Sequence, residues 1–265
     1  MSRDPGALMG EGRPTSIDVS GEPPAVLAFH GFGGTPLEVE LAVDVARELG
    51  LRAFAPLLPG HGTHARELAR TNWKDWSRAA NVALDGLVKP GKRVIVVGLS
   101  LGSLLSAHLA VTRRDDVLAL GMLANATRLT CLTSALPLRI IEKLGLPDFG
   151  IPKAASDIQE PAARANNLTY NVQRVKGAIE VMRAGARVEK TLGEIHCPVF
   201  IAHGRHDHVC PVANAARVAK KLGSEDKTVV ILERSAHIIT RDYDREILRT
   251  ELRRFLGRMA GRPVT

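Results

Sequence analysis

The stretch VIVVGLSLGS, from Val94 to Ser103, joins four β-branched residues to a serine that lies between two glycines. The apolar run over 94–98 is typical of a buried strand, and LLSAHLAV, which follows the serine, indicates a helix. The motif Gly98-Leu99-Ser100-Leu101-Gly102 therefore predicts a sharp strand-to-helix turn with Ser100 at its tip. Such a turn needs small residues two positions either side of the serine, and the helix start adds unpaired N–H groups beside it.

Apolar runs and helical patterns alternate on both sides of this stretch. Runs that indicate strands lie at 25–30, 52–55, 94–98, 117–124, 199–203 and 229–233, and helical patterns lie at 37–49, about 73–88, 102–114, 211–222 and 242–260. Strands that alternate with helices imply right-handed crossovers. We therefore predict an α/β fold with a mostly parallel central sheet, helices on both faces, and functional residues at the carboxyl ends of the strands.

The alternation stops between about 127 and 192, where the chain is poor in strand patterns and has helical ones, including a pattern over 169–188. A chain of 265 residues suits one sizeable core. We predict a flexible N-terminal leader over 1–20 and a single domain over 21–265, with a small helical cap inserted at about 127–192. Apolar cap residues that either pack together or line an acyl pocket are Leu136, Leu138, Ile140, Ile141 and Leu144.

The composition is that of a soluble protein, with 45% hydrophobic and 24% charged residues and no uninterrupted apolar run long enough to span a bilayer. The first sixteen residues lack the apolar core of a secretory signal, so we expect a cytoplasmic protein without stable membrane insertion. The net charge of +8 raises the question of nucleic acid. Because the basic residues are scattered and aromatic residues are only 4%, we predict no nucleic-acid partner.

Two groups of residues invite a redox or metal interpretation. The cysteines, Cys131, Cys197 and Cys210, are odd in number and lack CxxC spacing, which indicates reduced thiols, with Cys210 a small buried residue. The HGRHDH run at 203–208 contains three histidines, but their spacing on a strand-to-loop crossing is not that of a common zinc site. We predict no metal.

A serine hydroxyl needs a general base within hydrogen-bond reach, and the base needs an orienting acid. Asp207 follows the strand pattern at 199–203, and His237 follows the one at 229–233. The order serine, aspartate, histidine is the order of a nucleophile on a strand-to-helix turn and its partners. We therefore predict Ser100, Asp207 and His237 as the catalytic residues. The rival acids are expected to be solvated or to lie at helix starts: Asp226, Asp242 and Asp244.

The first apolar strand ends in the glycine-rich loop HGFGG at 30–34, which lets a backbone N–H approach a substrate oxygen. In this architecture the oxyanion hole combines an N–H of this loop with that of the residue after the nucleophile. Those residues are Phe32 and Leu101. A phosphate-binding loop is the alternative, but the sequence has neither GxGxxG nor a Walker lysine here.

Taken together, the motifs resemble the α/β-hydrolase superfamily, and within it the bacterial carboxylesterase and monoacylglycerol lipase-like group. The matching segments are HGFGGTP at 30–36, PGHGT at 59–63, NWKDW at 72–76, GLSLGS at 98–103, HGRHDHVCPV at 203–212 and SAHIITRDYDREI at 235–247. The resemblance implies a serine hydrolase with a helical cap, which needs no metal or organic cofactor. It implies a small-molecule acyl ester as substrate, of short to medium chain length or a monoacylglycerol.

Other activities remain compatible with the same residues. Thioester hydrolysis, acyl transfer, carbon–carbon bond hydrolysis and cofactor-free haloperoxidation use the same fold, since the reaction depends on the pocket. A non-catalytic ligand-binding protein is an alternative of a different class. The sequence makes no prediction about the oligomeric state.

Overall fold

The computed structural model describes residues 4, 6–10, 14–130, 140–141, 143–145, 147–153 and 155–263. Its centre is a seven-stranded sheet. In spatial order the strands are β11 (Lys227–Leu232), β10 (Val199–Gly204), β6 (Val117–Leu123), β5 (Val94–Leu99), β3 (Glu22–Phe29), β4 (Leu51–Ala55) and β2 (Ile17–Val19). Every neighbouring pair is parallel except β2 with β4, so the prediction of a mostly parallel sheet is confirmed.

Helices cover both faces of the sheet, as predicted. One face packs against α1 (Glu40–Glu48) and α8 (Arg245–Ala260), and the other against α3 (Trp73–Asp85), α4 (Leu101–Thr112), α6 (Val175–Thr191) and α7 (Ala213–Lys221). Shorter helices are α2 (Ala65–Leu68) and the 3₁₀ turns Pro36–Val39, Leu192–Glu194 and Ile239–Arg241. Within the described ranges, no helix is both long and apolar enough to cross a membrane.

Successive strand residues serve opposite layers of the core. Leu27 and Phe29 of β3 pack with Trp76 of α3, whereas Val26 and Ala28 pack with the layer of α1. This division follows from the two-residue period of a strand. A strand that is buried on both faces reads as a continuous apolar run, which is why these strands were visible in the sequence.

The segment between β6 and β10 contains more than helices. It includes β7 (Gly150–Pro152), α5 (Pro161–Ala165), β8 (Thr169–Tyr170), β9 (Val172–Arg174) and α6. The helical pattern predicted from residue 169 was wrong up to residue 174, because β9 pairs with β7 and β8 pairs with β1 (Leu8–Met9). Of the apolar cap residues named above, Leu136 and Leu138 lie outside the described residues, as does Cys131.

The predicted leader over 1–20 overlaps an ordered strand. Ile17–Val19 pairs antiparallel with Ala53–Ala55 at the sheet edge, so this end of the leader belongs to the sheet and the prediction of flexibility was wrong for it. The Arg52 guanidinium donates to the Val19 carbonyl at 2.7 Å and pairs with Asp18. Three residues are too few to show a strand period, which explains why the sequence did not indicate β2.

Candidate active site

Ser100 lies at the tip of the turn between β5 and α4. Its backbone has φ 54° and ψ −113°, a region that costs a non-glycine residue energy and persists only where its surroundings require it. The requirement here is close packing of main chain. A Cβ on Gly98 would lie 2.1 Å from the Gly102 carbonyl group, and a Cβ on Gly102 would lie 2.0 Å from the Phe29 carbonyl oxygen. The two glycines therefore let the turn form and hold Ser100 against β3.

Asp207 and His237 meet at the carboxyl ends of β10 and β11. Asp207 Oδ2 is 2.8 Å from His237 Nδ1, and both residues are buried. Asp207 Oδ1 accepts hydrogen bonds from the backbone N–H groups of Val209 and Cys210, at 2.8 and 2.7 Å. Since Oδ2 faces Nδ1, the proton of a neutral His237 lies on Nδ1 and Nε2 carries the lone pair that a general base needs.

The charges of this pair stabilise each other. Burial alone would raise the pKa of Asp207, but His237 and a second histidine, His203, outweigh it and hold that pKa well below its ordinary value. Burial alone would lower the pKa of His237, but Asp207, followed by Asp157 and Glu38, raises it above 6.5. The imidazolium form of His237 is therefore stabilised by a carboxylate that stays ionised.

Ser100 and His237 line the same cavity, which has a volume of about 380 Å³. Across the described residues, no hydrogen bond joins the Ser100 hydroxyl to His237. Such bonds are often long before substrate binds. A larger cleft of about 630 Å³, lined by residues 4, 7–10 and others between 155 and 171, contains none of the three predicted catalytic side chains.

The glycine-rich loop after β3 lies directly beside Ser100. A Cβ on Gly31 would lie 3.4 Å from Ser100 Cβ. Neither of the predicted oxyanion donors, the N–H groups of Phe32 and Leu101, has a hydrogen-bond partner within the described part of the chain. The Leu101 N–H is the first of α4, where helix geometry leaves it free. Two unpaired donors thus lie on the two loops that border the serine.

Glu38 holds this loop in place, which the sequence did not indicate. Its carboxylate accepts from the Gly31 N–H at 3.2 Å and from the Asn167 amide at 3.3 Å, and its carbonyl accepts from the Thr240 hydroxyl at 2.6 Å. One residue therefore connects the glycine-rich loop, the segment between β6 and β10, and the loop that carries His237. Burial raises the pKa of Glu38, against the opposing effect of Lys153.

The acids Asp242 and Asp244 anchor the His237 loop, and the expectation that they are solvated was wrong. Both are 4% exposed. The carboxylate of Asp242 accepts from the backbone N–H of Ala236, at 2.8 Å, and from two N–H groups at 159 and 160. Asp244 accepts from the Arg234 N–H and from the Ser235 hydroxyl, and its own position directly before α8 agrees with a helix-start acid.

The wall of the cavity that contains Ser100 is mainly apolar. Its apolar side chains include Leu129, Ile141, Val175, Ala178, Val181 and Val209. Glu38, Lys153 and Asp157 add polar groups to the wall. Burial lowers the pKa of Lys153, and its ammonium donates to the Thr169 hydroxyl at 3.1 Å. The cavity therefore offers apolar surface beside Ser100 together with a few polar partners.

The histidines of the HGRHDH run do not converge on one point. His203 Nε2 contacts Asp207, whereas His208 Nδ1 contacts Asp157 at 2.8 Å. Another candidate ligand group is Asp207, Cys210 and His237, whose donor atoms lie within 4.8 Å of one another. The oxygens of Asp207 already accept hydrogen bonds, and burial raises the pKa of the Cys210 thiol well above its ordinary value. This donor set suits a hydrogen-bonded network better than a cation.

Residues 22–244 match the sequence family described as "Serine aminopeptidase, S33" (Hydrolase_4). The chain is 27% identical to a thermostable monoacylglycerol lipase of Bacillus sp. (strain H-257), over 90% of this chain and 92% of the relative. It is 24% identical to a carboxylesterase of Bacillus subtilis (strain 168), over 93% and 97%. A solved structure of the metagenome-derived lipolytic enzymes LipS and LipT superimposes with a TM-score of 0.83 at 26% identity, over 93% and 97%. The predicted α/β-hydrolase fold is confirmed.

Proposed function

Because the chain belongs to the serine aminopeptidase S33 family, Hydrolase_4, we propose that it hydrolyses carboxylic esters through an acyl-enzyme on Ser100. Membership of the family makes the chain a serine hydrolase, and its curated relatives include a monoacylglycerol lipase and a carboxylesterase. The substrate class that we propose is esters of short- to medium-chain acyl groups, monoacylglycerols included. The mainly apolar wall of the 380 Å³ cavity supports this class.

The observation that carries the proposal is the hydrogen bond of 2.8 Å between Asp207 and a histidine that shares a cavity with Ser100. In the proposed reaction, His237 Nε2 takes the Ser100 proton while the Ser100 oxygen attacks the ester carbonyl. Asp207 stabilises the imidazolium that forms. The tetrahedral oxyanion accepts hydrogen bonds from the Phe32 and Leu101 N–H groups.

Breakdown of the intermediate reverses the proton movement. His237 gives the proton to the leaving alcohol oxygen, and the ester becomes an acyl group on Ser100. Water then attacks the acyl carbonyl and passes a proton to His237. The bond between the acyl carbon and the Ser100 oxygen breaks, the acid is released, and His237 returns the proton to the Ser100 oxygen. The two described cysteines, Cys197 and Cys210, are free thiols, which supports the further proposal of a cytoplasmic location.

The direct test compares Ser100→Ala with the wild type on p-nitrophenyl acetate, butyrate, octanoate and laurate and on monoacylglycerols. We expect kcat to fall by about 10⁴-fold or more, because the nucleophile and its base act as a unit. Ser77→Ala, at a half-buried serine of α3 outside the cavity, is the control. A fluorophosphonate probe should label the wild type at Ser100.

Two of the alternatives have distinct outcomes when acyl-CoA thioesters are added to this substrate series. Turnover by Ser100→Ala at the wild-type rate contradicts the nucleophile. A wild type that cleaves acyl-CoA thioesters but not oxygen esters indicates a thioesterase. A wild type that neither reacts with the probe nor hydrolyses any acyl donor indicates a ligand-binding protein.

The acyl-binding role of the cavity has its own test in Ala178→Phe. Ala178 of α6 lies in the wall with Val175 and Val181, so a phenyl group there fills apolar volume. We expect the preferred acyl chain to shorten, measured as kcat/KM over the ester series. Ala186→Phe, on the exposed side of the same helix, should keep the wild-type preference. An unchanged preference in Ala178→Phe assigns this wall to packing.

A further inference from the structure

Asp207 has a second histidine partner besides His237. His203 lies in β10, four residues before Asp207, and its side chain is fully buried. His203 Nε2 is 3.0 Å from Asp207 Oδ2, the same oxygen that contacts His237 Nδ1. The same Nε2 is 3.2 Å from the carbonyl oxygen of Cys210. Two imidazole rings thus contact one carboxylate oxygen, one from β10 and one from the loop after β11.

The groups around His203 determine which of its two ring nitrogens carries the proton. Both atoms near Nε2 are oxygens that only accept, so Nε2 is the donor. His203 Nδ1 is buried and has no hydrogen-bond partner among the described residues. A second proton on Nδ1 would be a buried charged donor without a partner, which is costly. The geometry therefore places the proton of a neutral His203 on Nε2.

With His203 included, Asp207 uses its full capacity as an acceptor. Oδ1 takes the Val209 and Cys210 N–H groups, and Oδ2 takes the two histidines. A carboxylate offers about four lone-pair positions. No lone pair of the carboxylate remains free to take a proton. The four hydrogen bonds also hold the Asp207 carboxylate in one orientation.

We propose that His203 is a positioning residue for the hydrolytic reaction, which holds Asp207 Oδ2 against His237 and takes up part of its negative charge. The inference rests on the proposed function, because it assigns His203 a role through Asp207 and His237. A histidine with a merely structural role would contribute to packing and would leave the protonation of His237 unchanged. The proposal predicts that His203 moderates how strongly His237 is protonated.

The direction of the effect follows from the shared oxygen. When the His203 donor is removed, Oδ2 interacts with His237 alone, so the imidazolium is more stable and the pKa of His237 rises. The other charged groups that face His237, Asp157 and Glu38, are unchanged by this substitution. His208 and Lys153, which face those two acids, are unchanged as well.

The variants are His203→Phe, which keeps a ring but loses the donor, and His203→Gln, whose amide N–H can replace Nε2–H. His108→Phe is the control, since His108 lies half-buried in α4 against Trp73. In His203→Phe we expect the acidic limb of kcat/KM to move up by about 0.5 pH unit. Below the midpoint this shift equals about a threefold loss of kcat/KM. His203→Gln should restore most of the wild-type profile.

A titration of ¹⁵N-labelled histidine by NMR gives the same quantities without catalysis. In the wild type we expect the proton of the neutral His203 ring to lie on Nε2, and this result needs no variant to fold. In His203→Phe the His237 midpoint should rise. The proposal is overturned if His203 has its proton on Nδ1, or if His203→Phe leaves the His237 midpoint unchanged. Because these resonances do not depend on turnover, a failure of the Ser100 assignment is separately visible.

Discussion

Close contacts around Ser100 join main chain to main chain, whereas the close contact of Gly177 in α6 joins main chain to a side chain. A Cβ on Gly102 would lie 2.0 Å from the Phe29 carbonyl oxygen, and a Cβ on Gly177 of α6 would lie 2.1 Å from Phe32 Cζ. A carbonyl of a central strand cannot move without the sheet, but a phenyl ring can turn. The turn at Ser100 therefore has one allowed conformation, whereas the wall of the cavity can adopt several.

We expect the largest loss of activity when the negative charge of Asp207 is removed. Asp207→Asn puts an amide where two histidines donate to Oδ2, so the preferred tautomer of His237 is lost. We expect kcat on p-nitrophenyl butyrate to fall by about 10⁴-fold. Asp226→Asn, at an exposed acid paired with Arg258, should stay near the wild type. A loss below about tenfold would mean that Asp207 does not orient the base.

Gly102→Ala tests the rigidity of the turn itself. The added methyl meets the Phe29 carbonyl, and either β3 or α4 has to shift. We expect the free energy of unfolding to fall by about 3 kcal/mol, measured in urea, together with most of the esterase activity. Gly86→Ala, where the nearest atom to a Cβ is 3.6 Å away, is the control. A variant with wild-type stability would remove the contrast between the two regions.

Gly177→Ala makes the matching change in α6, where the close contact is with the Phe32 ring. The Phe32 ring has to move, but His61 and Trp76 lie at its other edges, with ring centres 6.0 and 5.7 Å away. We expect kcat to fall by about tenfold, because the Phe32 N–H is displaced from the oxyanion. Stability should change by less than about 1 kcal/mol, since alanine suits a helix better than glycine.

The same measurements on Gly193→Ala provide the reference for Gly177→Ala. At Gly193 a Cβ would make an ordinary contact of 3.8 Å with the Lys221 carbonyl. If Gly177→Ala loses stability as Gly102→Ala does, while kcat is unchanged, α6 is as rigid as the turn and the comparison fails.

The smallest effect concerns pH. The charges of Asp207, Asp157 and Glu38 raise the pKa of His237 above 6.5 against the effect of burial. Neutral His237 is the base, so kcat/KM should rise with pH through that pKa, with a midpoint above 6.5. The profile is measured in a pH-stat with two esters that differ in their alcohol. A shared midpoint at or below pH 6.5 contradicts the expected shift.

The buried strands and the positions of Ser100, Asp207 and His237 at their ends followed from the sequence. Strands buried on both faces give continuous apolar runs, and glycine and polar residues mark where each ends. The shortest strands did not follow from the sequence. Over 169–174 the chain forms β8 and β9 because partners from distant segments pair with them, and no local pattern carries that information.

The partners of the site residues could not be predicted from the sequence either. Glu38 contacts Asn167, which is 129 positions away, so its role depends on how the segment between β6 and β10 folds over the sheet. His203 was visible as one histidine of a run, but its contact with Asp207 requires the loop at 204–207 to turn back on β10. Motif spacing locates the reacting groups, and tertiary folding decides what supports them.

The pairing of β2 with β4 bears on how the chain behaves in concentrated solution. The hydrogen-bonding edge of β4 is a ready template for another chain, and Ile17–Val19 covers it. A form of the protein that begins at residue 21, directly after the predicted leader, lacks Ile17–Val19. It leaves that edge uncovered and loses the ion pair between Asp18 and Arg52. We expect such a form to self-associate through the uncovered strand, which assigns Ile17–Val19 a role against aggregation.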